Sequence, residues 1–406
     1  METITERSVS ALWLSGRLSR FNDDSGHNIE VVCPGRVSTR GGCDFQDVVI
    51  KIDGEKTVGD VEVHVTSDLW RQHGHHRDAH YNGVILHVSM WQRGLLPVRL
   101  QDGRILSTVI LAQYVKTGSN LPRVMSAGSA RRCPHLPGSG KKTDLVIVEA
   151  GLARFEQKSA RFAQALRNGD PDQILYKGVC RALGYAWNVK PFETLAEKVT
   201  LQIVRRNAAE SIRAKYNLLL SAAGLADRWI GRMPEGVQPM RASDWATASS
   251  RPLNHPALRI AGLCHLLHRY EKTGMVPGLV ERLNNALPRE AAAVLDRSFT
   301  VGGVDSPVLI GAGRAREIVV NAVLPFMHAC GANINNGLLE NNVKRIYESY
   351  PSLSQNELTR YMGGLLGNQA YGACRQQGLL HIYHNWCRTR ECGICPVVTL
   401  RKPAPV

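Results

Sequence analysis

The 406-residue chain contains no apolar run near the roughly 20 residues that a membrane-spanning helix requires, so no membrane partner is expected. Its opening, METITERSVSALW, lacks a basic stretch followed by an apolar one, which argues against an export leader and for a cytoplasmic protein. Ten cysteines are too few for a disulfide-stapled scaffold of this length; in a reducing compartment they point to burial or metal binding. No internal repeat is evident, and there is no motif of the kind that reads nucleic-acid bases. What remains, 44% hydrophobic and 21% charged, suits two or three packed domains.

Positive charge is present in excess, and unevenly. The net charge is +15, yet the first 100 residues hold 11 Lys or Arg against 13 Asp or Glu, net −2, leaving +17 for the remainder. A locally acidic region able to hold a divalent cation, joined to a basic remainder, suits a metal-dependent enzyme acting on nucleic acid; a merely basic surface fits the same numbers.

Apolar residues alternate at period two from about 28 to 118, in NIEVVC, DVVIKI, GDVEVHV and GVILHVSMW, and Asp102-Gly103 suits a tight hairpin. ERSVSALWLSGRL ahead of this region, and the stretch after Ser67-Asp68 within it, have helical spacing or caps. The order predicted for residues 1–118 is therefore helix, three strands, helix, strand. Residues 119–142 are a basic Pro/Gly/Ser linker without periodicity. Apolar stripes at three and four then predict a helical lobe over 143–231, an irregular connector at 232–256, and a second helical lobe over 257–406 that ends in a cysteine cluster.

The strand GDVEVHV turns Val61, Val63 and Val65 to one face and Asp60, Glu62 and His64 to the other. Asp44, at the mouth of the preceding strand, can share a divalent ion with Glu62, and carboxylate oxygens suit magnesium or manganese. A polar solvent face on a half-buried strand would give the same string. Six of the 14 histidines, His64, His73, His75, His76, His80 and His87, fall within 24 residues and offer imidazoles to a softer metal or donors to phosphate. His87, among Val84, Leu86 and Val88, also reads as a satisfied core residue.

Asp44, and 18 residues later a Glu-x-basic on the next strand, within this element order, resembles the PD-(D/E)XK phosphodiesterase superfamily. The resemblance implies an α/β restriction-endonuclease-like core, with Asp44 and Glu62 holding the metal and Glu6 on the first helix as a further ligand. Cys43 stands where the motif's proline usually lies, and His64 takes the lysine position, where it is assigned to water activation. The longer string GCDFQDVVIKIDGEKTVGDVEVHVTSDLWRQHGHHRDAHYNGVILHV resembles the signature of a large bacterial family of unknown function over nearly the whole chain. Asp44, Glu62, His64, Asp68, Trp70, His73, His75, Asp78, Tyr81, Asn82 and His87 occupy its signature positions, without roles attached. By chemistry His73, His75 and Asp78 suit phosphate or a second metal, while Trp70 and Tyr81 suit core or base stacking.

Cys387, Cys392 and Cys395 follow a Cys-x4-Cys-x2-Cys spacing that suits zinc or an iron-sulfur cluster, with Cys133, Cys374, His381 or His384 as the fourth ligand. Some nucleases of the resembled superfamily carry a cluster on one early and three late cysteines, which singles out Cys133. Arg131, Arg132, Lys141, Lys142, Arg154, Lys158 and Arg161 are candidate phosphate contacts, although charged helix faces are usually just solvated. The reading is a metal-dependent phosphodiesterase on DNA or RNA. Its alternatives are a non-catalytic nucleic-acid-binding protein on the same fold, or a histidine-rich metallohydrolase of another substrate.

Overall fold

The computed structural model describes residues 4–16, 18–38, 42–115, 133, 140–184, 187–209, 211–226, 233–247, 254–284, 288–303, 306–367 and 371–399. The chain divides into two compact units, one made of Met1–Thr143, Gly364–Asn368 and Ile382–Val406, the other of Asp144–Gly363 and Gln369–His381. A mixed sheet with its flanking helix comes first and a mainly helical chain follows, as the change of period predicts. No described helix is long and apolar enough to cross a membrane.

The first unit opens with α1 (Glu6–Leu14), capped by Thr5, whose side chain accepts from the Ser8 amide at 3.3 Å. Its strands are β1 (Arg20–Asn22), β2 (Asn28–Cys33), β3 (Arg36–Val37), β4 (Phe45–Ile52), β5 (Glu55–Thr66), β6 (Val84–Trp91), β7 (Val98–Arg99), β8 (Ile105–Leu106) and β9 (Thr108–Ile110). They lie in the order β1-β2-β4-β5-β6-β9, with β3 pairing beside β4 and β7 and β8 forming a separate hairpin closed at Gly103. Neighbours up to β5 are antiparallel, while β5, β6 and β9 run parallel. A parallel partner cannot be reached by a tight turn, so residues 67–83 must cross over one face of the sheet. That crossover contains α2 (Leu69–Gln72) and two 3₁₀ turns, His75–Arg77 and Ala79–Tyr81.

Period two decides what each face does. Val61 and Val63 of β5 pack with Leu86, Val88, Phe45, Ile50 and the Val9, Leu12 and Trp13 stripe of α1, all buried. Trp13 also donates its indole N–H to the Pro34 carbonyl at 3.0 Å. The opposite face, where Asp60, Glu62 and His64 point, lies under the crossover, whose Trp70 packs with Cys43, Val84, Val98, Leu100 and Leu106.

In the second unit, α3 (Gly140–Leu166) crosses the helix Ala373–Ile382 at a pair of glycines. A Cβ on Gly378 would stand 1.9 Å from the Ile147 carbonyl oxygen, and one on Gly151 would stand 2.2 Å from that of Cys374. Backbone cannot rotate aside as a side chain can, so Gly378→Ala is expected to cost about 3 kcal/mol, the upper end of overpacking. Thermal unfolding checks this; an unchanged midpoint would show that the helices can separate without loss.

Candidate metal centre

The site is built around Glu62, which is 6% exposed in the middle of the sheet. Antiparallel register sets Phe45 opposite Val61, so Asp44 enters beside Glu62. The two are locked by exchange: the Asp44 amide donates to Glu62 Oε2 at 3.0 Å, and the Val63 amide donates to Asp44 Oδ2 at 2.9 Å. Burial, and then the Glu62 charge, push the Asp44 carboxyl up to about 7, with Glu6 acting in the same direction.

Parallel register sets His87 beside Glu62, and Thr108 beside His87. Asp44, Glu62, His87 and Thr108 therefore form a row across four strands. His64 Nδ1 meets His87 Nε2 at 2.9 Å, and His87 Nδ1 meets Thr108 Oγ1 at 3.4 Å. Both imidazoles are buried, and burial, followed by the neighbouring imidazoles, holds their pKa values well below the ordinary one, His87 at about 3.

The crossover supplies the remaining groups. Trp70, fully buried, donates to the Arg99 carbonyl at 3.0 Å and fixes α2 over the sheet. Gly74 then takes a left-handed φ of 77°, a conformation that suits glycine, and turns the chain between His73 and His75. His73 Nδ1 approaches His64 Nε2 at 3.2 Å, and His75 Nε2 lies 3.2 Å from Glu62 Oε1. His64 Nε2 is 3.7 Å from the same oxygen. Tyr81 closes over His75, with ring centroids 3.9 Å apart.

Three imidazole nitrogens, from His64, His73 and His75, thus fall within 4.8 Å of one another, and two of the three rings, His64 and His75, lie against Glu62 Oε1. Buried His75 Nε2 has no aligned hydrogen-bond partner despite its closeness to Glu62. A converging set of imidazole nitrogens with a carboxylate is the donor chemistry of a transition-metal ion, and the residues fit one. The second sphere is present too, since His87 holds the far nitrogen of His64.

Other sequence-predicted residues fall elsewhere. Asp78 caps the turn Ala79–Tyr81, accepts from the His80 amide at 2.9 Å and is half exposed. Asp68 precedes α2 and accepts from Gln72 at 2.9 Å. Asn82 binds Gln101 at 3.0 Å. Lys158 is not available to a surface phosphate: it is 7% exposed and donates to Asn321 at 2.6 Å and Gln377 at 2.7 Å. Arg154 reaches the same Gln377 at 2.9 Å, whereas Arg161, Lys141 and Lys142 are exposed. Arg131 and Arg132 lie outside the described residues. Cys374 is buried in the helical unit with its thiol toward the Val148 carbonyl, and His381 belongs to that unit as well.

Sequence reasoning missed Asp47. It sits at a β4 bulge with φ 55° and accepts from Arg36 at 3.1 Å, from the Tyr383 hydroxyl and, at 2.7 Å, from Arg388. The only hint was that DFQDVV puts two acids three apart, which breaks the alternation.

The chain belongs to the family described as "Protein of unknown function (DUF2851)", which matches residues 6–356. No curated protein and no solved structure matches it.

His87 gives the apo-protein a definite pH response. Its folded pKa lies below its unfolded value of 6.5, so on acidification the unfolded state binds a proton that the folded state refuses. Stability present above pH 6.5 is therefore lost as the pH falls. Between pH 6.5 and 5 the metal-free wild type is expected to lose about 2 kcal/mol more than His87→Gln in denaturant titrations. Parallel losses in the two proteins would show that His87 titrates normally.

Proposed function

We propose that the protein is a metal-dependent phosphodiesterase acting on nucleic acid, with Glu62, His64, His73 and His75 holding the ion. The observation that carries this reading is the clustering of His64, His73 and His75, with His64 and His75 against Glu62 Oε1 and Glu62 directly beside Asp44. The order of α1, the antiparallel run β2, β4 and β5, the crossover and parallel β6 supports a nuclease-like core, as does the placement of Asp44 and Glu62 on adjacent strands. The basic remainder of the chain supports a polyanionic substrate.

The donor set alters the chemistry read from the strand alone. Imidazoles favour zinc or manganese over magnesium, which prefers an all-oxygen shell. Such an ion, when bound, neutralises charge on a phosphate and lowers the pKa of a water. His64 is buried with Nδ1 on His87 and Nε2 toward His73, so it suits holding an ion better than taking a proton from water. Asp44 has one oxygen on the Val63 amide, and its pKa near neutrality suits the general-base role. A histidine-rich metallohydrolase of another substrate class is the second reading, favoured by the same predominance of imidazole.

Labelled single- and double-stranded DNA and RNA, incubated with manganese or zinc, test the proposal. Glu62→Ala and His75→Ala are expected to lose both bound metal and cleavage. Asp44→Asn is expected to keep the metal but cleave at least about 100-fold more slowly. Salt-sensitive binding without cleavage by the wild type would establish the non-catalytic alternative. Metal binding without nucleic-acid cleavage or binding would move the activity to another substrate.

A further inference from the structure

Among the described residues, His64, His73 and His75 bring three ligand atoms within 4.8 Å of one another, and Cys133, Cys387, Cys392 and Cys395 do not form a second such group. What a substrate meets at the histidine centre depends on the side chains that close over it. Tyr81 is one of these: its ring centroid lies 3.9 Å from that of His75, with the planes 32° apart. Trp70 stands edge-on to both rings, 5.9 Å from Tyr81 and 5.3 Å from His75, so the phenol ring is wedged against the core of the crossover.

The chain ahead of β6 fixes this placement. Asp78 caps the 3₁₀ turn Ala79–Tyr81, the Tyr81 amide donates to the Asp78 carbonyl at 3.1 Å, and the Asn82 amide donates to the Ala79 carbonyl at 3.1 Å. Asn82 is then tied twice to the loop of the β7–β8 hairpin. Its side chain donates to Gln101 at 3.0 Å, and its carbonyl accepts from Arg104 at 2.6 Å. With the backbone bonded on both sides, Tyr81 is held over His75.

Packing uses the ring and leaves the hydroxyl. Tyr81 is half-buried, and its hydroxyl makes no hydrogen bond among the described residues. We infer that the Tyr81 hydroxyl donates a hydrogen bond to a phosphate oxygen of the substrate at the histidine centre, as a further catalytic residue; the inference rests on the phosphodiesterase reading. A phosphate entering here approaches Glu62 and Asp44, and both carboxylates repel it. Attraction therefore needs, besides an ion, a donor of the chain's own. The imidazoles of His64, His73 and His75 spend a lone pair each in holding an ion, whereas the phenol keeps its O–H. Burial, and next the Glu62 charge, raise its pKa, with Asp44 acting in the same direction, so the hydroxyl stays protonated at neutral pH. Directed at an anionic oxygen it makes a charge-assisted hydrogen bond, and a donor fixed by packing beforehand costs no reorganisation as charge shifts over the phosphate.

Tyr81→Phe removes the O–H and keeps a ring on His75, so it tests the donor without disturbing the packing. Wild type and Tyr81→Phe, each loaded with manganese and freed of excess metal, are titrated calorimetrically with inorganic phosphate; metal content and thermal midpoint are measured on the same samples. Equal metal content and midpoint are expected, with phosphate bound about 10-fold more weakly by the variant and by neither protein without metal. Cleavage of labelled DNA or RNA is expected to be at least about 10-fold slower in Tyr81→Phe. Equal phosphate affinity in the two loaded proteins would overturn the inference, as would a loaded wild type that binds no phosphate. Loss of metal from Tyr81→Phe would overturn it too, by showing that the phenol serves the ligand set. Equal cleavage rates in the two proteins would refute the donor and leave the nuclease reading standing. Phosphate affinity that depends on Tyr81, without cleavage of any nucleic acid, would leave the donor standing and move the activity to another phosphate ester.

Discussion

A carboxylate buried in the middle of a sheet is the constraint around which the first unit is organised. Removing an ionised carboxyl from water costs several kcal/mol unless charge or hydrogen bonds return it. Glu62 receives one backbone N–H, from Asp44, and otherwise faces the rings of His64 and His75. Those rings pack with His73, His87, Trp70 and Tyr81, and burial holds the His64 imidazole well below its ordinary pKa, so a proton on that ring is disfavoured as a balance for Glu62. The arrangement has a carboxylate, several imidazole lone pairs and, among the described residues, no lysine or arginine paired with Glu62. A divalent ion would resolve all three at once, and this donor chemistry, more than any single distance, is the argument for the proposed metal centre.

The same strand has to satisfy two incompatible environments, and period two is what allows it. Val61 and Val63 bury apolar surface under α1, while residues one step away bury polar groups under the crossover. A one-residue slip of β5 would place Glu62 and His64 against Trp13 and Phe45 and send valines into the imidazole cluster. The exchange of hydrogen bonds between Asp44, Glu62 and Val63 therefore fixes register as well as charge.

How much of this could be read in the sequence follows from the range of each interaction. The alternation in GDVEVHV gave the polar face, and the change from period two to helical spacing gave the sheet-then-helix order, because both are local properties of the chain. The approach of His73 to His64 and of His75 to Glu62 was visible only as an unexplained density of histidines, since a turn at Gly74, not a periodic element, aims the rings. Lys158 shows the opposite failure. It shares a helical spacing with Arg154 and Arg161, yet the packing of α3 turns it inward to Asn321 and Gln377. The C-terminal turn was legible as a cysteine spacing but not as part of the sheet-containing unit, because its partners, Asp47 and Arg36, are distant in sequence.

Asp47 joins the two halves of that unit in a way neither half reveals. Its carboxylate is taken by Arg36, Tyr383 and Arg388, and its amide faces Asp60 Oδ1 at 3.3 Å. Asp60 in turn accepts from the Cys43 thiol at 3.3 Å, and Cys43 is the residue before Asp44. A left-handed aspartate is strained by an amount of order 1 kcal/mol and persists only when its neighbours over-determine it. Here the C-terminal segment holds it from one side and the polar face of β5 from the other. The bulge beside Asp44 is thus clamped by residues more than 300 positions downstream, so the pairing of Asp44 with Glu62 depends on that segment being in place.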